Sequence, residues 1–376
     1  MTATNVSSSI SPPAPPGRVM AIDALRGFDM FWIFAGGSGL FLAFLKLFVN
    51  PLPGWFERQF DHVEWEGFAA WDLIMPLFMF IVGAVMPFSF SKRMEQGAKK
   101  GDLYVKVIRR TVILFVLGMV AQGNLLAFNL SKLHVYSNTL QAIAAGYLVS
   151  AVFLLELRPR AQIIGTAILL ILYWLLMAFV PAPGYGMGAL EPKANLALWL
   201  DEAILGHFRD GTSYTWILSS LAFAATVMLG VFSGLVLRSA KSKVLKLLCL
   251  VGAGAGCLAA GWAWSFPFPI IKHLYTSSMV LWAGGWCYLL LALFFLVIDM
   301  WGFRKWAFPF VVIGMNAIVA YMAGDFINFG GIGNAFVGGL ARHLGDYGPF
   351  ARQLAGFLVG WLMLYYMYRK GTFLRI

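Results

Sequence analysis

Long apolar runs recur along the chain, separated by short segments that hold most of its polar and charged residues. Each run has roughly 20 residues, enough for a helix to cross about 30 Å of hydrocarbon. Because backbone amides in lipid must be satisfied within the segment, the runs are predicted to be helices rather than open strands. The pattern predicts an all-α, polytopic membrane protein with about ten transmembrane helices. The predicted spans lie near 27–49, 69–90, 108–128, 135–156, 162–181, 214–237, 246–267, 274–299, 308–328 and 350–368.

Composition and charge support this class and orient the chain. Of 376 residues, 60% are hydrophobic and 12% are charged, against roughly 25% charged in a soluble domain. When the N-terminus is placed inside, 20 of the 28 Lys and Arg residues fall in cytoplasmic segments and 8 fall outside. The positive-inside rule therefore predicts that both termini are cytoplasmic. Basic loops facing anionic lipid headgroups account for the net charge of +11 without a nucleic-acid partner.

The chain is predicted to form one membrane domain. Residues 1–17 are rich in Ser and Pro and lack the basic start of a signal peptide, so we expect a disordered cytoplasmic tail. Residues 18–376 are predicted to form the transmembrane domain. The three cysteines have no CxxC spacing and the histidines no HxxxH spacing, so neither a disulfide framework nor a metal site is expected. The longest outer loop, about 182–213, contains NLALWLDEAILGHF, which could lie as an interfacial helix.

Charged residues are costly inside spans, so they are the first candidates for a functional site. One cluster, Asp23, Arg26 and Asp29, lies at the cytoplasmic entry of the first span. On a helix, Arg26 is an i,i+3 neighbour of both carboxylates and can pair with each. Two interpretations are open. The cluster is a self-neutralising helix end with Asp23 as N-cap, or the guanidinium binds a phosphate, for which its forked donors are suited.

A second cluster contains His62, just outside the membrane, and Asp72, ten residues later at the start of the second span. A histidine in such a loop is commonly a solvated residue. Asp72, however, needs a partner inside the apolar span. A buried Asp can fix the tautomer of an imidazole and leave the other ring nitrogen free to take a proton. The spacing therefore also predicts a catalytic pair.

Other polar groups give weaker signals. They could serve helix packing through hydrogen bonds or contribute to a site. They are Asn138 and Gln141 in the fourth span, Lys272 and His273 before the eighth, and Asn316 in the ninth.

Four segments that contain these residues follow one another along the chain: DALRGFDMFWI, HVEWEGFAAWDLIMPLFMFIVGAVMPFSFSKR, IGMNAIVAY and YRKGTFLRI. Together they resemble the heparan-α-glucosaminide N-acetyltransferase family and its bacterial relatives. The correspondence extends through residues 18–376 and includes PAPGYG at 181–186 and the segment from Lys272 to Ser277. The His, Trp, Gly, Asp and Pro positions within 62–76 are its most specific part.

The resemblance implies a membrane-embedded acyltransferase. Such an enzyme takes the acetyl group of acetyl-CoA from the cytoplasm and transfers it to an amino sugar or other glycan acceptor on the outer side. His62 and Asp72 would be the catalytic residues, with Asp72 supporting the histidine. Arg26 would lie near the CoA phosphates. A hydrophilic tunnel for the cofactor would place Asn138, Gln141, Lys272 and Asn316 among the cofactor-binding residues.

The chain departs from the family in three segments, one of which is a longer loop before His62. The family usually has an Asn in the first span that works with the histidine, and Gly37 is aligned with it here. The segment YSNTLQA at 136–142 keeps the family's Gln but lacks two flanking arginines. The large outer N-terminal extension of the animal enzyme is also absent, which indicates a bacterial cytoplasmic-membrane protein. The resemblance leaves a homodimer open.

Three alternatives remain at this point. The chain could be a transporter or flippase in which Arg26, Asp29 and Asp72 bind a moving anionic or sugar substrate. It could be a non-catalytic relative of the family. If it is an enzyme, His62 could act as a base, or could attack the thioester and carry the acetyl group itself.

Overall fold

A computed structural model describes residues 19–374. The predicted tail, 1–17, lies outside the described residues. The chain is 74% helical with almost no strand, which confirms the predicted all-α class. One two-stranded hairpin pairs β1, Leu190–Glu191, with β2, Ala194–Asn195.

Every predicted span corresponds to a helix or a pair of helices. The α-helices of eight or more residues in the first half are α1 Met20–Ile33, α2 Gly37–Lys46, α3 Ile74–Glu95, α4 Lys100–Ala121, α5 Thr139–Glu156 and α6 Pro159–Phe179, and a single-turn helix lies at Gly54–Glu57. Those of the second half are α7 Leu196–Leu205, α8 Ser220–Arg238, α9 Lys243–Ser265, α10 Ser277–Phe294, α11 Phe308–Met315, α12 Ala317–Phe326, α13 Phe329–Ala341 and α14 Tyr347–Lys370.

The protein is an integral membrane protein with several helices that can cross a bilayer. Within residues 19–374, seven helices are long and apolar enough to do so, or eight if a bent pair at 305–326 forms one span. The helices α4 and α14 are also long but carry more polar residues. The count of ten and the cytoplasmic position of the termini remain predictions.

Two spans are broken by residues that leave helical geometry. The first span starts at Met20, earlier than predicted, and a short 3-10 turn at Phe34–Gly36 separates α1 from α2. Gly36 has a φ of +77°, which glycine adopts without strain. The ninth span bends by 66° between α11 and α12, where Asn316 interrupts the helix. The prediction of one continuous helix was wrong in both places.

The bundle packs closely where α3 crosses α8. At Gly83 a side chain would collide with the Val227 carbonyl oxygen, and at Gly230 it would collide with that of Phe80. The two glycines therefore let the helix backbones touch, as small residues do in membrane bundles. This close crossing anchors α3, whose N-terminal end carries the candidate site.

The loop after α6, which is predicted to be outside, contains the predicted interfacial helix, α7. Its first turn is buried against the protein, and Asp201 on the same helix is buried as well. Asp201 accepts hydrogen bonds from the backbone N–H groups of Trp216 and Ile217, at 2.7 and 2.9 Å. Burial raises the pKa of this carboxyl to about 6. The helix is thus docked onto the bundle and holds the segment that leads into α8.

The predicted orientation can be tested by cysteine labelling. In a variant that lacks the native cysteines, a cysteine replacing exposed Glu191 is expected to react with a membrane-impermeant maleimide in intact cells. A cysteine replacing exposed Gln96 should react only after the membrane is permeabilised, because the basic loop between α3 and α4 should be cytoplasmic. Labelling of the Gln96 position in intact cells would reverse the predicted orientation.

Candidate active site

Three charged or titratable side chains meet at the N-terminal end of α3. His62 Nδ1 lies 2.8 Å from Asp72 Oδ1. The Lys272 ammonium lies 3.3 Å from the same oxygen. It is also 2.8 Å from His62 Nδ1 and 3.2 Å from His62 Nε2. The contact predicted between His62 and Asp72 is present, and the structure adds Lys272 to it.

The loop that carries His62 is folded back by local hydrogen bonds. Asp72 lies in a 3-10 turn, Ala70–Leu73, and its Oδ2 accepts the backbone N–H of Ala69 at 2.9 Å. Gly67 has a φ of +122°, a backbone conformation that residues other than glycine rarely adopt. The resulting turn returns the chain so that His62 reaches the carboxylate ten residues ahead.

Lys272 reaches the same point because its own loop pairs with the His62 loop. Glu66 and Ile271 form an antiparallel bridge, and the Gly67 N–H donates to the Ile270 carbonyl at 2.9 Å. Thr276 caps α10 and its hydroxyl also donates to the Pro269 carbonyl at 2.8 Å. The loop before α10 is therefore held on both sides, and the backbone position of Lys272 is fixed.

Burial differs sharply among the three groups. The Asp72 side chain is 1% exposed and that of Lys272 is 9% exposed, whereas that of His62 is 40% exposed. Burial lowers the pKa of Lys272 below its usual value, and the charge of Asp72 acts in the opposite direction. The imidazole is thus the accessible member of a cluster whose two ions are largely shielded from solvent.

The geometry leaves one ring nitrogen of His62, Nε2, with a lone pair that can accept a proton or attack a carbonyl carbon. Asp72 holds Nδ1, which places the ring proton there and a lone pair on Nε2. The Lys272 nitrogen is nearly equidistant from both ring nitrogens, so it cannot lie along the lone pair of either. It lies instead beside the ring. The lone pair of Nε2 is therefore available to a substrate proton or to a carbonyl carbon.

A cavity of about 390 Å³ opens beside the cluster. Ligand sites of small molecules have volumes of this order and combine apolar walls with a few polar groups. Met30 and Ile33 of α1 form part of its apolar surface, together with Trp71, Phe78 and Trp216. The polar side chains that line it include His62, Lys272, Ser137, Asn138, Thr139 and Asp210.

A stack of three aromatic rings lies beside this cavity, and one of them, Tyr214, lines it. His273 lies between Trp65 and Tyr214, with ring centroids 5.2 and 4.2 Å away. Burial, together with the nearby Lys272 charge, lowers the pKa of His273 to about 4, so this ring is neutral at neutral pH. Burial raises the pKa of Tyr214 to about 12. These neutral rings shield the cluster and add no charge to it.

Sequence reasoning missed the cavity residues Asp210, Tyr214 and Trp216. The polar sequence RDGTSY at 209–214 was the available signal. It lies in a loop, and only the docking of α7 brings it to the site.

The other predicted site residues are distributed differently. Asn138 lines the cavity, but its side chain also caps α5 and donates to the Gly118 carbonyl at 2.6 Å. The Gln141 side chain bonds the Ser137 N–H and the Val135 carbonyl, so it holds the turn before α5. Asn316 bonds the backbone of Thr372 and Leu374, far along the chain. A single tunnel lined by all of these amides has no support in these contacts.

Arg26 lies in the N-terminal half of α1, 3.7 Å from Asp23. The helix is capped by Val19, so Asp23 is within the first turn and the prediction of Asp23 as N-cap was wrong. Asp29 is buried, and neither of its carboxylate oxygens has a hydrogen-bond partner, so the expected pairing of Arg26 with both carboxylates was wrong for Asp29.

Gly37, aligned with the family's Asn, begins α2 directly after the break in the first span. A side chain there would collide with the Phe31 carbonyl oxygen. This backbone therefore cannot take an Asn at position 37 without moving. The cavity has other small polar groups near the histidine, among them Ser137 and Thr139.

The three residues of the transporter hypothesis, Arg26, Asp29 and Asp72, do not line the cavity beside His62. Asp72 is already bonded to His62 and Lys272. A moving substrate would have to displace these internal contacts before it could bind the carboxylate.

The fold and the site define an integral membrane protein with a His–Asp–Lys cluster at the wall of a cavity. No protein-family model matches the chain. It is 24% identical over 368 residues to heparan-alpha-glucosaminide N-acetyltransferase from Homo sapiens, and 25% identical over 367 residues to the same protein from Mus musculus. The protein is a distant relative of these N-acetyltransferases, which confirms the resemblance.

Each alignment covers 82% of this chain, but 53% of the human protein and 54% of the mouse protein. The chain therefore spans about half the length of the relatives that it matches.

Proposed function

We propose that this protein is a membrane acyltransferase that moves an acetyl group from cytoplasmic acetyl-CoA to an amino sugar or other glycan acceptor on the outer side. The observation that carries the proposal is the His62–Asp72 contact of 2.8 Å at a cavity wall, in which Asp72 holds Nδ1 and not Nε2. Acyl transfer needs a base for the acceptor and a positive group for the thioester oxyanion. His62 and Lys272 are groups of these two kinds.

In direct transfer, Nε2 of His62 takes the proton of the acceptor amine or hydroxyl as that group attacks the thioester carbonyl carbon. The carbon–sulfur bond then breaks and the CoA thiolate leaves, taking up the proton from the imidazolium. In the alternative route, Nε2 attacks the carbonyl carbon first, the carbon–sulfur bond breaks and the CoA thiolate leaves. The acceptor then attacks the acetyl group, the bond to Nε2 breaks, and the acceptor's proton passes to the released imidazole or to the thiolate. Both routes begin at the same lone pair, and in both Asp72 holds the ring.

The acceptor would bind in the outer part of the cavity. Trp71 lies beside the histidine, with ring centroids 6.3 Å apart, and Tyr214 and Trp216 line the same space. Flat aromatic faces and a few polar groups suit a sugar ring. The Asp210 carboxylate, also in the lining, would attract the amine of an amino sugar.

The donor would reach the cluster from the cytoplasmic side along α1. Met30, which lines the cavity, is one turn beyond Arg26, or about 6 Å along the helix axis. A phosphate held by Arg26 at the cytoplasmic end would therefore leave the flexible arm of CoA to cross the remaining distance. The basic cytoplasmic loops suit a polyanionic donor. A bacterial cytoplasmic membrane and a homodimer remain predictions.

Release of the CoA thiol by purified protein tests the function. Acetyl-CoA is supplied with glucosamine as the acceptor, and the acetylated product is identified by mass spectrometry. We expect CoA release that depends on the acceptor. Protein that is folded yet neither releases CoA nor acquires an acetyl group would contradict the proposed function and favour a transporter.

Replacing Arg26 with alanine is expected to weaken CoA binding. The loss of a charge-assisted contact costs roughly 1.5–3 kcal/mol, which corresponds to a rise in Kd of roughly 10- to 100-fold. The measurement is the CoA-induced shift in melting temperature of the purified protein, compared with the wild type.

Arg109→Ala is the matched control, because Arg109 is exposed on α4 and is predicted to face the same side. It should leave the CoA-induced shift unchanged. An unchanged shift in a folded Arg26→Ala variant would remove Arg26 from the donor site, and its contact with Asp23 would then account for it.

A further inference from the structure

The Lys272 amine lies close enough to the proposed reaction centre to react with the acetyl group itself. Its nitrogen lies 3.2 Å from His62 Nε2 and lines the same cavity. A lysine amine without its proton is a nucleophile of the same kind as an amino-sugar acceptor. An acetyl group bound at Nε2, or a thioester beside it, would therefore lie within reach of this amine.

The charge of Lys272 depends on one carboxylate. Burial lowers the pKa of the lysine, which favours the uncharged amine. Among residues 19–374, Asp72 is the one that forms an ion pair with Lys272, at 3.3 Å. The other titratable groups nearby are His273 and Tyr214, which are neutral at neutral pH. His62 is the third member of the cluster, and Asp210 lines the cavity further out.

We infer that Lys272 is the cation that stabilises the thioester oxyanion, and that Asp72 keeps this lysine protonated so that it does not acetylate itself. The inference rests on the proposed function. As an ammonium ion, Lys272 has no lone pair and can only donate hydrogen bonds. One oxygen of Asp72, Oδ1, contacts both His62 and Lys272. A single carboxylate therefore positions the His62 base and keeps Lys272 protonated.

The side reaction that Asp72 prevents has a defined course. The uncharged Lys272 amine attacks the thioester carbonyl carbon, a carbon–nitrogen bond forms and the carbon–sulfur bond breaks. The CoA thiolate leaves and takes up the proton that the amine loses. The product is an acetyl-lysine amide, which has no positive charge and does not pass the acetyl group on. Each such event therefore inactivates one protein molecule.

The first experiment removes the negative charge of Asp72. Purified Asp72→Asn and wild-type protein are incubated with acetyl-CoA over a series of pH values, and Lys272 is examined by peptide mass spectrometry. We expect Asp72→Asn to acquire one acetyl group on Lys272, with the modified fraction rising as pH increases. The wild type should remain unmodified at this position over the same period.

The matched control is Glu57→Gln, which removes the carboxylate 2.9 Å from Lys46, an exposed ion pair away from the cavity. Lys46 should gain no acetyl group, because it lies away from the cavity in which the donor is proposed to bind. Acetylation of Lys46 to the same extent would show that acetyl-CoA modifies lysines indiscriminately, and would overturn the inference.

The second experiment tests the cation. Lys272→Met is expected to lower kcat by about 10²–10³-fold, with a smaller change in KM, because the oxyanion exists only in the transition state. Lys272→Arg keeps a permanent charge that cannot be acetylated under these conditions, so it should recover part of kcat. It should also remain unmodified when combined with Asp72→Asn.

The outcomes separate the two proposals. If wild-type protein releases CoA but Lys272 stays unmodified in folded Asp72→Asn, the inference that Asp72 prevents acetylation of Lys272 is overturned. The proposed function then stands. Full kcat in Lys272→Met would overturn the oxyanion role in the same way. If the wild type itself neither releases CoA nor is acetylated, the proposed function fails and this inference fails with it.

Discussion

Replacing His62 with alanine is expected to lower acetyl-CoA turnover by about 10²–10⁴-fold, the usual contribution of a positioned general base. The loss follows from the geometry, since Nε2 is the one ring nitrogen not held by Asp72. CoA binding should persist, because the proposed phosphate contact at Arg26 lies at the other end of the path. Turnover is measured as release of the CoA thiol, and binding as the shift in melting temperature.

The control for this variant is His343→Ala, which removes an exposed histidine at the end of α13. It should retain full turnover. Full activity in folded His62→Ala would exclude the histidine as base and as acetyl carrier. Loss of both turnover and CoA binding would instead indicate that the cluster supports the fold of the donor site.

Replacing Gly230 with valine is expected to prevent most of the protein from folding. The new side chain would collide with the Phe80 carbonyl oxygen, where α3 and α8 cross with their backbones in contact. Overpacking a side chain costs about 1–3 kcal/mol, and here the obstacle is backbone, which cannot change rotamer. We expect a large drop in monodisperse yield and in melting temperature. Turnover should fall as well, because the turn that carries Asp72 leads directly into α3.

Gly252→Val on α9 is the matched control, since nothing lies within 4 Å of a side chain built at that position. Both substitutions place a β-branched residue in a helix, so the intrinsic cost is shared. The difference between the two variants therefore reports the crossing alone. Equal stability of the two proteins would show that α3 and α8 do not pack as closely as described.

Most of the helical architecture follows from the sequence. Apolar runs of about 20 residues have few alternatives to a helix in lipid, so every predicted span has a helical counterpart. The breaks were harder to predict. Gly36 and Asn316 sit within apolar runs, and hydropathy does not register backbone conformation. The helix α13 was missed because its glycine-rich sequence reads as a loop.

The contact between His62 and Asp72 was predictable for a physical reason. The two residues are ten positions apart, a glycine lies between them, and a carboxylate buried in a span requires a partner. The amides of Gln141 and Asn316 show the limit of that reasoning. They also required partners, but they found them in nearby turns and in the chain's end, not in a tunnel.

The sequence by itself determined the all-α class, the helical segments and the local pairing of His62 with Asp72. Each of these depends on residues within one span or one loop, where spacing and hydropathy fix the outcome. Tertiary structure alone decided that Lys272, 210 positions beyond His62, completes the cluster. That contact depends on a bridge between Glu66 and Ile271 and on a hydroxyl cap at Thr276. Such long-range pairing leaves no periodic signal in the chain, because it arises only when separate helices pack.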